Sequence, residues 1–503
     1  MGRYIYRPMR HATPFFPSLR STLAPLGRRS ITVLRGIRQR TLSQIEQRFS
    51  PALPDSLLPK NRSGDHSRER VFTLSRTLWC WIWQVLQANT SCREVVRQVQ
   101  ALFALHEAGE VDEATGAYCQ ARGKLSLGLL KSLFGASFQS AEKAAPAPTR
   151  VLLQNRPIRV ADASGARLAD TPKNRAAYPP SDNLPAGAGF PFLRIVVLFS
   201  LTSGALLAQA SGSLRCSEQR LWHSLLSFLR GGDILLGDRA YGKYVVAALL
   251  QGVGVDLIAA VAARSRKVDF RQAKKRIGPH DALFVWKKPY TPSPWLSEKQ
   301  WGELPAEITV RLLRVALLRR GFRTEHLVLV TTLLDPALYP AAEILAAHAR
   351  RWRLEMCLDD LKTTLGMENL RCLRPEMVQK ELLIFLTAHN LMRWLMAQAA
   401  SHGNVELDGL SFKGSLDAFR QWSHALAQQN GSHRRRRTRL WHQLLETLVA
   451  DLLPVRPGRK EPRAVKKRSK YPPLNKPRHQ YRSRWSRGKR RRIAKARKRA
   501  SLN

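Results

Sequence analysis

Four side chains of different chemistry occur at helical spacing between positions 348 and 362. His348, Arg351, Glu355 and Lys362 are separated by steps of 3, 4 and 7 residues. On an α-helix such steps place side chains on one face. A carboxylate between cations is a poor stripe for a hydrophobic core, but it could hold a metal ion beside a phosphate. The segment therefore predicts a helix that carries part of a reactive site.

Two aspartates provide the partners that such a carboxylate would need. Asp162 follows the run Ile-Arg-Val-Ala at 158–161, and Asp238 follows the apolar run 234–237. Each run predicts a strand that ends at its aspartate, and carboxylates at strand ends project into the crevice beside a sheet. With Glu355 they form a set of oxygen ligands suited to Mg²⁺ or Mn²⁺. Two such ions could activate a water or a 3′-hydroxyl and stabilise the leaving oxygen of a phosphodiester.

Other interpretations of these residues remain open. Each aspartate alone could simply belong to a turn. Arg351 could be an ordinary ion-pair partner of Glu355, four residues away, and Lys362 a solvated surface lysine. Three further acids compete for the metal-binding role. Asp359 and Asp360 lie close to Glu355 on the same predicted helix and could replace it, and Asp170 could replace Asp162.

The charge of the chain indicates the partner. Its 503 residues carry a formal net charge of +47, which implies a polyanion, most commonly nucleic acid. A membrane surface is the rival partner, but no run of eighteen uncharged apolar residues predicts a spanning helix. The six cysteines include no Cys-x-x-Cys pair. They therefore indicate reduced thiols in a cytosol-like compartment, not a zinc ribbon or a disulfide framework.

Composition and periodicity divide the chain into six parts. The first 45 residues contain no acid and resemble a transit peptide, but a basic, disordered DNA-binding arm is the simpler interpretation. Strands expected near positions 158, 192, 205, 233, 255 and 326 alternate with helices, which predicts a mixed α/β sheet covered by helices. The predicted N-terminal parts are a basic arm (1–66), a helical DNA-binding domain (67–141) and a linker (142–150). A catalytic domain (151–400) follows, with an insertion at about 264–322. The last two parts are a helical region (401–455) and a basic disordered tail (456–503).

Three motifs, taken together, resemble those of the DDE transposases of the insertion-sequence-four group. They are Asp162-Ala-Ser, Gly237-Asp-Arg-Ala-Tyr-Gly242 and His348-x2-Arg351-x3-Glu355-x6-Lys362. Segments beginning at Asp170, Gly189 and Arg456 are also similar to that group, so the resemblance covers roughly residues 70 to 480. The third motif is the most specific of the three. In that group its first residue is a tyrosine, whereas this chain has His348.

The resemblance implies a ribonuclease-H-like catalytic core with a β-rich insertion. It implies that Asp162, Asp238 and Glu355 are catalytic and bind two Mg²⁺ or Mn²⁺ ions. It also implies phosphate or DNA contacts by residues of the second and third motifs: Arg239, Tyr241, His348, Arg351 and Lys362.

The implied reaction is cut-and-paste DNA transposition. Water cleaves the transposon end, the 3′-hydroxyl forms a hairpin on the opposite strand, the hairpin is opened, and the end joins target DNA. Hairpin formation requires a flipped base, on which an insertion-domain tryptophan stacks in related enzymes. Trp286 is preferred here because it ends an apolar run, and Trp295 and Trp301 are the alternatives; for each, core packing is the competing role.

The same resemblance implies the partners and the compartment. The expected partners are double-stranded DNA, as terminal inverted repeats and as target, and a second copy of the chain. The expected compartment is the bacterial cytoplasm, in association with the nucleoid. Two rival functions remain: a nuclease or resolvase on the same fold that never joins strands, and a DNA-binding derivative that has lost catalysis.

The basic tail generates a first prediction. Between Arg456 and Asn503 the sequence has 21 lysines or arginines and one acid, Glu461, so this block contributes +20 of the formal charge. Truncation before Arg456 should make duplex-DNA binding less dependent on salt, because each lost phosphate contact reduces the slope of log K against log salt by about 0.9. Fluorescence anisotropy over a salt series measures that slope. An unchanged slope would show that the tail makes no phosphate contacts.

Overall fold

The structure, a computed structural model, covers the two central portions of the chain. It describes 45–147, apart from 60–63, 67–70, 88 and 106–108, and 152–454, apart from 181–188, 262–267, 317–325 and 428–433. The predicted tail lies outside the described residues, and so does most of the predicted basic arm. Among the described residues, no helix is long and apolar enough to cross a membrane.

One large mixed sheet forms the centre of the fold. Its strands lie in the order β3-β2-β1-β4-β5-β9-β8-β7-β6, and β10 pairs with β1 outside this path. The strands are β1 (Ile158–Leu168), β2 (Phe192–Ser200), β3 (Leu206–Ser213), β4 (Ile234–Gly237), β5 (Asp256–Ala260), β6 (Lys275–Gly278), β7 (Asp281–Lys287), β8 (Glu307–Ala316), β9 (His326–Thr331) and β10 (Asn369–Leu370).

The first five strands have the arrangement of a ribonuclease-H-like core. β1, β2 and β3 form an antiparallel meander, and β4 and β5 join β1 in parallel. This confirms the predicted mixed α/β fold class. The parallel strands are runs of Ile, Leu and Ala that are buried on both faces, as expected for strands covered by helices on each side.

The region predicted as an insertion continues this sheet. β6, β7 and β8 form an antiparallel ribbon that reaches β5 through β9. The ribbon is β-rich, as expected, and it shares a hydrophobic core with the second catalytic motif. The ends of the predicted insertion, at 264–267 and 317–322, lie outside the described residues.

Helices cover both faces of the sheet. They are α1 (Ile45–Phe49), α2 (Leu74–Leu86), α3 (Cys92–Leu105), α4 (Gly116–Lys124), α5 (Leu127–Ala144), α6 (Pro172–Ala177), α7 (Glu218–His223), α8 (Tyr244–Gly252), α9 (Glu298–Gly302), α10 (Ala341–Asp359), α11 (Pro375–Gly403), α12 (Phe412–Ala427) and α13 (Arg434–Ala450). The long helix α11 is the hub, since α2, α5, α12 and α13 all pack against it.

The N-terminal helices join the catalytic domain through this hub. Helices α2 to α5 share one hydrophobic core with α11 and with one face of the sheet. Glu142, expected in a linker, lies in the last turn of α5 and accepts hydrogen bonds from Arg159 (2.8 Å), Ser200 (2.9 Å) and Ser203 (2.6 Å). The linker prediction is therefore wrong at its start, because this carboxylate ties α5 to the strands.

Candidate active site

The register of β1 and β4 brings Asp162 and Asp238 to the same level of the sheet. The two strands run parallel, with Ile158 opposite Ile234 and Val160 opposite Leu236. Two residues further along, the same register reaches the two aspartates. Adjacent strands are about 4.8 Å apart, so these carboxylates belong to one edge of one crevice.

The local backbone differs at the two aspartates. Asp162 does not end its strand as predicted, because β2 continues to pair with β1 as far as Arg167. What ends near Asp162 is the pairing with β4, whose last partner on β1 is Val160. Asp162 therefore lies on a continuous strand, beside the gap that opens where β4 stops.

Asp238 lies in a tight turn that follows β4. Its Oδ1 accepts the Ala240 amide at 2.7 Å, and its carbonyl accepts the Tyr241 amide at 3.2 Å. A Cβ on Gly237 would lie 2.5 Å from the Tyr241 Cβ, and one on Gly242 would lie 2.3 Å from the Ala260 carbonyl oxygen. The turn is thus packed closely at both glycines, which fixes where Asp238 emerges.

Glu355 reaches the site from α10, which packs over β1 and β5. Its Oε1 lies 3.1 Å from the Arg351 Nη2, one helical turn earlier. The Arg351 side chain is 12% exposed and that of Glu355 44% exposed. Arg351 and Glu355, which were predicted to lie on one helix face, are therefore in contact. The nearly buried Arg351 guanidinium holds the Glu355 carboxylate.

Electrostatics couples the three carboxylates. Burial raises the pKa of Asp162, and the charges of Asp238 and Glu355 raise it further. The Ala163 amide and the Arg351 guanidinium act in the opposite direction. Since like charges affect each other only at short range in a protein, the three predicted ligands lie in one electrostatic neighbourhood.

The competing acids have other partners. Burial raises the pKa of Asp360 to about 7, and its charged neighbours are Arg393 and Asp359. Asp359 accepts a hydrogen bond from the Thr363 hydroxyl at 2.8 Å, and Asp170 forms an ion pair with Arg175. Of the acids on this helix, Glu355 is the one that acts on Asp162.

Lys362 stands on an irregular turn. The predicted single helix from 340 to 365 ends at Asp359 and continues as a π-helical turn, Asp360–Thr364. A π turn holds more residues than an α turn, so it rotates Lys362 away from the position that a spacing of seven residues predicts. The half-buried Lys362 therefore approaches the site from a different side than Arg351.

His348 is buried and uncharged. It is 9% exposed, and burial with the nearby Arg351 charge lowers its pKa to about 4. Its Nε2 has no hydrogen-bond partner among the described residues. The predicted phosphate contact of His348 would thus be made by a neutral imidazole, at the position where the insertion-sequence-four motif has a tyrosine.

The second motif divides into an exposed and a buried part. Arg239 is exposed beside Asp238, in a position that phosphate can reach. Tyr241 is 3% exposed and packs edge-on against Trp222, with ring centroids 5.7 Å apart. The structure therefore places Tyr241 as a support of the Asp238 turn, and a direct phosphate contact would require it to leave the core.

Glu218 is a fourth carboxylate that the sequence analysis missed. It is the first residue of α7, after the N-cap Ser217. Burial raises its pKa, and the charges of Asp238 and Asp162 raise it further. The only local signal is a capping serine before a glutamate, which is common to many helices.

The three candidate tryptophans differ in accessibility. Trp286 is 4% exposed and fills the core beneath the ribbon, so stacking on a base would require it to leave that core. Trp295 is half-buried beside Trp222 and His223, and Trp301 lies under the Lys288 ammonium, 5.2 Å from its ring centroid. The structure thus favours Trp295 over Trp286 as a stacking surface.

The carboxylates are near one another but not gathered. Within the described part of the chain, no group of three or more His, Cys, Asp or Glu residues is close enough to hold a metal ion. The ion pair with Arg351 holds Glu355, and backbone amides hold the two aspartates. The donor set suits a hard divalent cation, but Glu355 would have to shift to complete it.

The chain is similar to known transposases. Residues 153–391 match the family model described as "Transposase DDE domain". The chain is 28% identical over 409 residues to the transposase InsG for insertion sequence element IS4 of Escherichia coli (strain K12), a match that covers 80% of this chain and 88% of that protein. The chain is also similar to a solved structure of piggyBac transposase in a synaptic complex with hairpin DNA. The match covers 82% of this chain and 85% of the piggyBac chain, with a TM-score of 0.39 and 10% sequence identity.

The burial of His348 predicts an acid-sensitive stability. Its pKa is about 4 in the fold against 6.5 when unperturbed, so the unfolded chain binds this proton first as pH falls. The free energy of unfolding should therefore decrease between about pH 6.5 and 4.5, and His348→Gln should remove about 2 kcal/mol of that decrease. Urea unfolding at the two pH values measures it.

Exposed Gln251 on α8 provides the control, since Gln251→Ala removes no titratable group and should leave the pH dependence as in the wild type. His389 is also buried, with a pKa lowered to about 3, and it contributes the same background to every variant. Equal pH dependence of the wild type and His348→Gln would contradict the burial of a neutral imidazole.

Proposed function

We propose that the chain is a DDE transposase of the IS4 family and that it moves a DNA element by cut-and-paste transposition; the match of residues 153–391 to the transposase DDE domain and the 28% identity to InsG support this. In this proposal water cleaves the element's end, and the released 3′-hydroxyl attacks the opposite strand to form a hairpin. The hairpin is then opened, and the 3′-end joins target DNA. The observation that carries the proposal is the register of β1 and β4, which brings Asp162 and Asp238 level at one edge of the sheet, where the charge of Glu355 also acts on Asp162.

Asp162, Asp238 and Glu355 would hold the metal ions. Burial, and after it the charges of Asp238 and Glu355, raise the pKa of Asp162, and a bound divalent cation would favour its ionised form. Two bound Mg²⁺ or Mn²⁺ ions would lower the pKa of the attacking hydroxyl and stabilise the leaving oxygen.

The basic residues around the acids have separate roles. Arg351 holds Glu355 in the ligand-free state, and when Glu355 turns to the aspartates the Arg351 guanidinium would bind a phosphate oxygen. Exposed Arg239 and half-buried Lys362 offset the charge of the DNA backbone on either side. His348 supports the helix from below as a neutral side chain.

A flipped base would be held at Trp295, on the segment between β7 and β8. Trp295 lies against Trp222, which also contacts Tyr241 of the second motif, so it is mechanically linked to the Asp238 turn. Its half-buried ring is the best placed of the three tryptophans to receive a base, and stacking of this kind contributes about 1–3 kcal/mol per base.

The proposed partners are duplex DNA and a second copy of the chain. Terminal inverted repeats and target DNA would occupy the crevice in turn, and each subunit of a dimer would bind one end while cleaving the other. The high positive charge of the chain supports the DNA partner. The reaction would take place on DNA in the bacterial cytoplasm.

Glu355 provides the decisive variant. Glu355→Gln should reduce cleavage of a labelled terminal-repeat duplex in Mg²⁺ by at least about 100-fold, since even the residues that support metal ligands are worth 10- to 100-fold. Binding of the duplex should be retained. Asp359→Asn is the matched control, because this acid lies one turn further along and bonds Thr363, and it should leave cleavage within a few fold.

The products separate the rival functions. Hairpins and joined strands support transposition, whereas nicks without joined products would indicate a nuclease or resolvase. Binding with no product from the wild type would indicate a catalytically inactive DNA-binding derivative. Equal activity of Glu355→Gln and the wild type would refute the assignment of the site.

A further inference from the structure

Exposed arginines form a basic face at the start of α13. Arg435, Arg436 and Arg439 are exposed, and Thr438 and His442 lie beside them on the same open surface. We call these five residues the α13 basic face. No acid precedes it on this helix, and Glu446 lies at its far end.

The opposite face of α13 fixes the orientation of the helix. It packs against α11 and α12 through leucines and one tryptophan: Leu440, Trp441, Leu444, Leu445 and Leu448. The Trp441 ring lies 6.4 Å from that of Trp394 on α11. Because this side is anchored in the main core, the α13 basic face is held outward.

The arginines do not stabilise the helix that carries them. The N-terminus of a helix carries a partial positive charge and favours acids, with about 0.3–1 kcal/mol for each well-placed charge. Here the first turn holds arginines and no acid. The half-buried Arg437 adds a further repulsion, because it lies near the buried Arg48. Burial and the Arg437 charge together lower the pKa of Arg48 to about 10.

A bound polyanion would attract these arginines and offset the repulsion among them. We propose that the α13 basic face binds the sugar-phosphate backbone of duplex DNA, as an anchoring surface in addition to the catalytic crevice. Arg435 and Arg439 are one turn apart, roughly 6 Å along the helix. Each planar guanidinium group can donate two parallel hydrogen bonds to one phosphate. The Thr438 hydroxyl and the His442 ring add further hydrogen-bond donors between and beyond them.

Glu446 sets the limit of the face. It lies on the same surface but pairs with His402, with a His402 Nε2 to Glu446 Oε1 distance of 3.9 Å. A carboxylate here would repel a phosphate backbone, so the DNA contact is confined to the first two turns. This proposal rests on the proposed function for the identity of the polyanion.

The test compares two triple variants of the full chain. Arg435→Gln, Arg436→Gln and Arg439→Gln together neutralise the α13 basic face. Lys274→Gln, Lys275→Gln and Arg276→Gln together remove the same charge from another exposed segment, at β6. Anisotropy of a labelled duplex without terminal repeats, over about 50–300 mM salt, gives the affinity and its salt slope.

We expect the α13 variant to lose at least tenfold in affinity and two to three units of salt slope, at about 0.9 per phosphate contact. The β6 variant should lose much less. Thermal unfolding confirms that both variants are folded. An unchanged slope, or equal losses in both variants, would overturn the proposal.

Cleavage by the wild type separates this proposal from the proposed function. If the wild type cleaves terminal-repeat DNA but the α13 variant keeps the wild-type salt slope, only the α13 proposal fails. If the wild type binds DNA without cleaving it and the α13 variant loses slope, the surface stands and the transposase activity fails.

Discussion

Mutual repulsion among three carboxylates is the constraint on which the site depends. Burial raises the pKa of Asp162, the charges of Asp238 and Glu355 raise it further, and the Ala163 amide and the Arg351 guanidinium act against them. Such a cluster is stable only with positive charge close by. In the free protein Arg351 provides that charge, and in the proposed reaction divalent ions and then the arginines around the DNA path would add to it.

The rest of the fold serves to keep these charges together. The parallel register of β1 and β4 brings the two aspartates level, and the packed glycines after β4 fix the second one. Helix α10 carries Glu355 over the sheet, while α11 ties that helix layer to the N-terminal helices. Glu142 closes this arrangement by bonding α5 to β1 and β2.

The sequence predicted the parts of this site that depend on local spacing. Arg351 and Glu355 were placed on one face because α-helical geometry alone determines it, and the runs before Asp162 and Asp238 revealed their strands. Tertiary contacts decided the rest. The π turn that rotates Lys362, the burial of Tyr241 and Trp286, and the approach of Glu218 all depend on neighbours that are distant in sequence. The continuation of β1 past Asp162 was missed because its polar residues are paired by β2, which no local pattern indicates.

Mn²⁺ titration followed by electron paramagnetic resonance measures whether the three carboxylates bind cations. We expect saturable binding of two ions by the wild type and loss of at least one of them in Asp162→Asn, Asp238→Asn and Glu355→Gln, with Asp359→Asn unchanged. Identical Mn²⁺ binding by the wild type and Asp162→Asn would contradict this expectation.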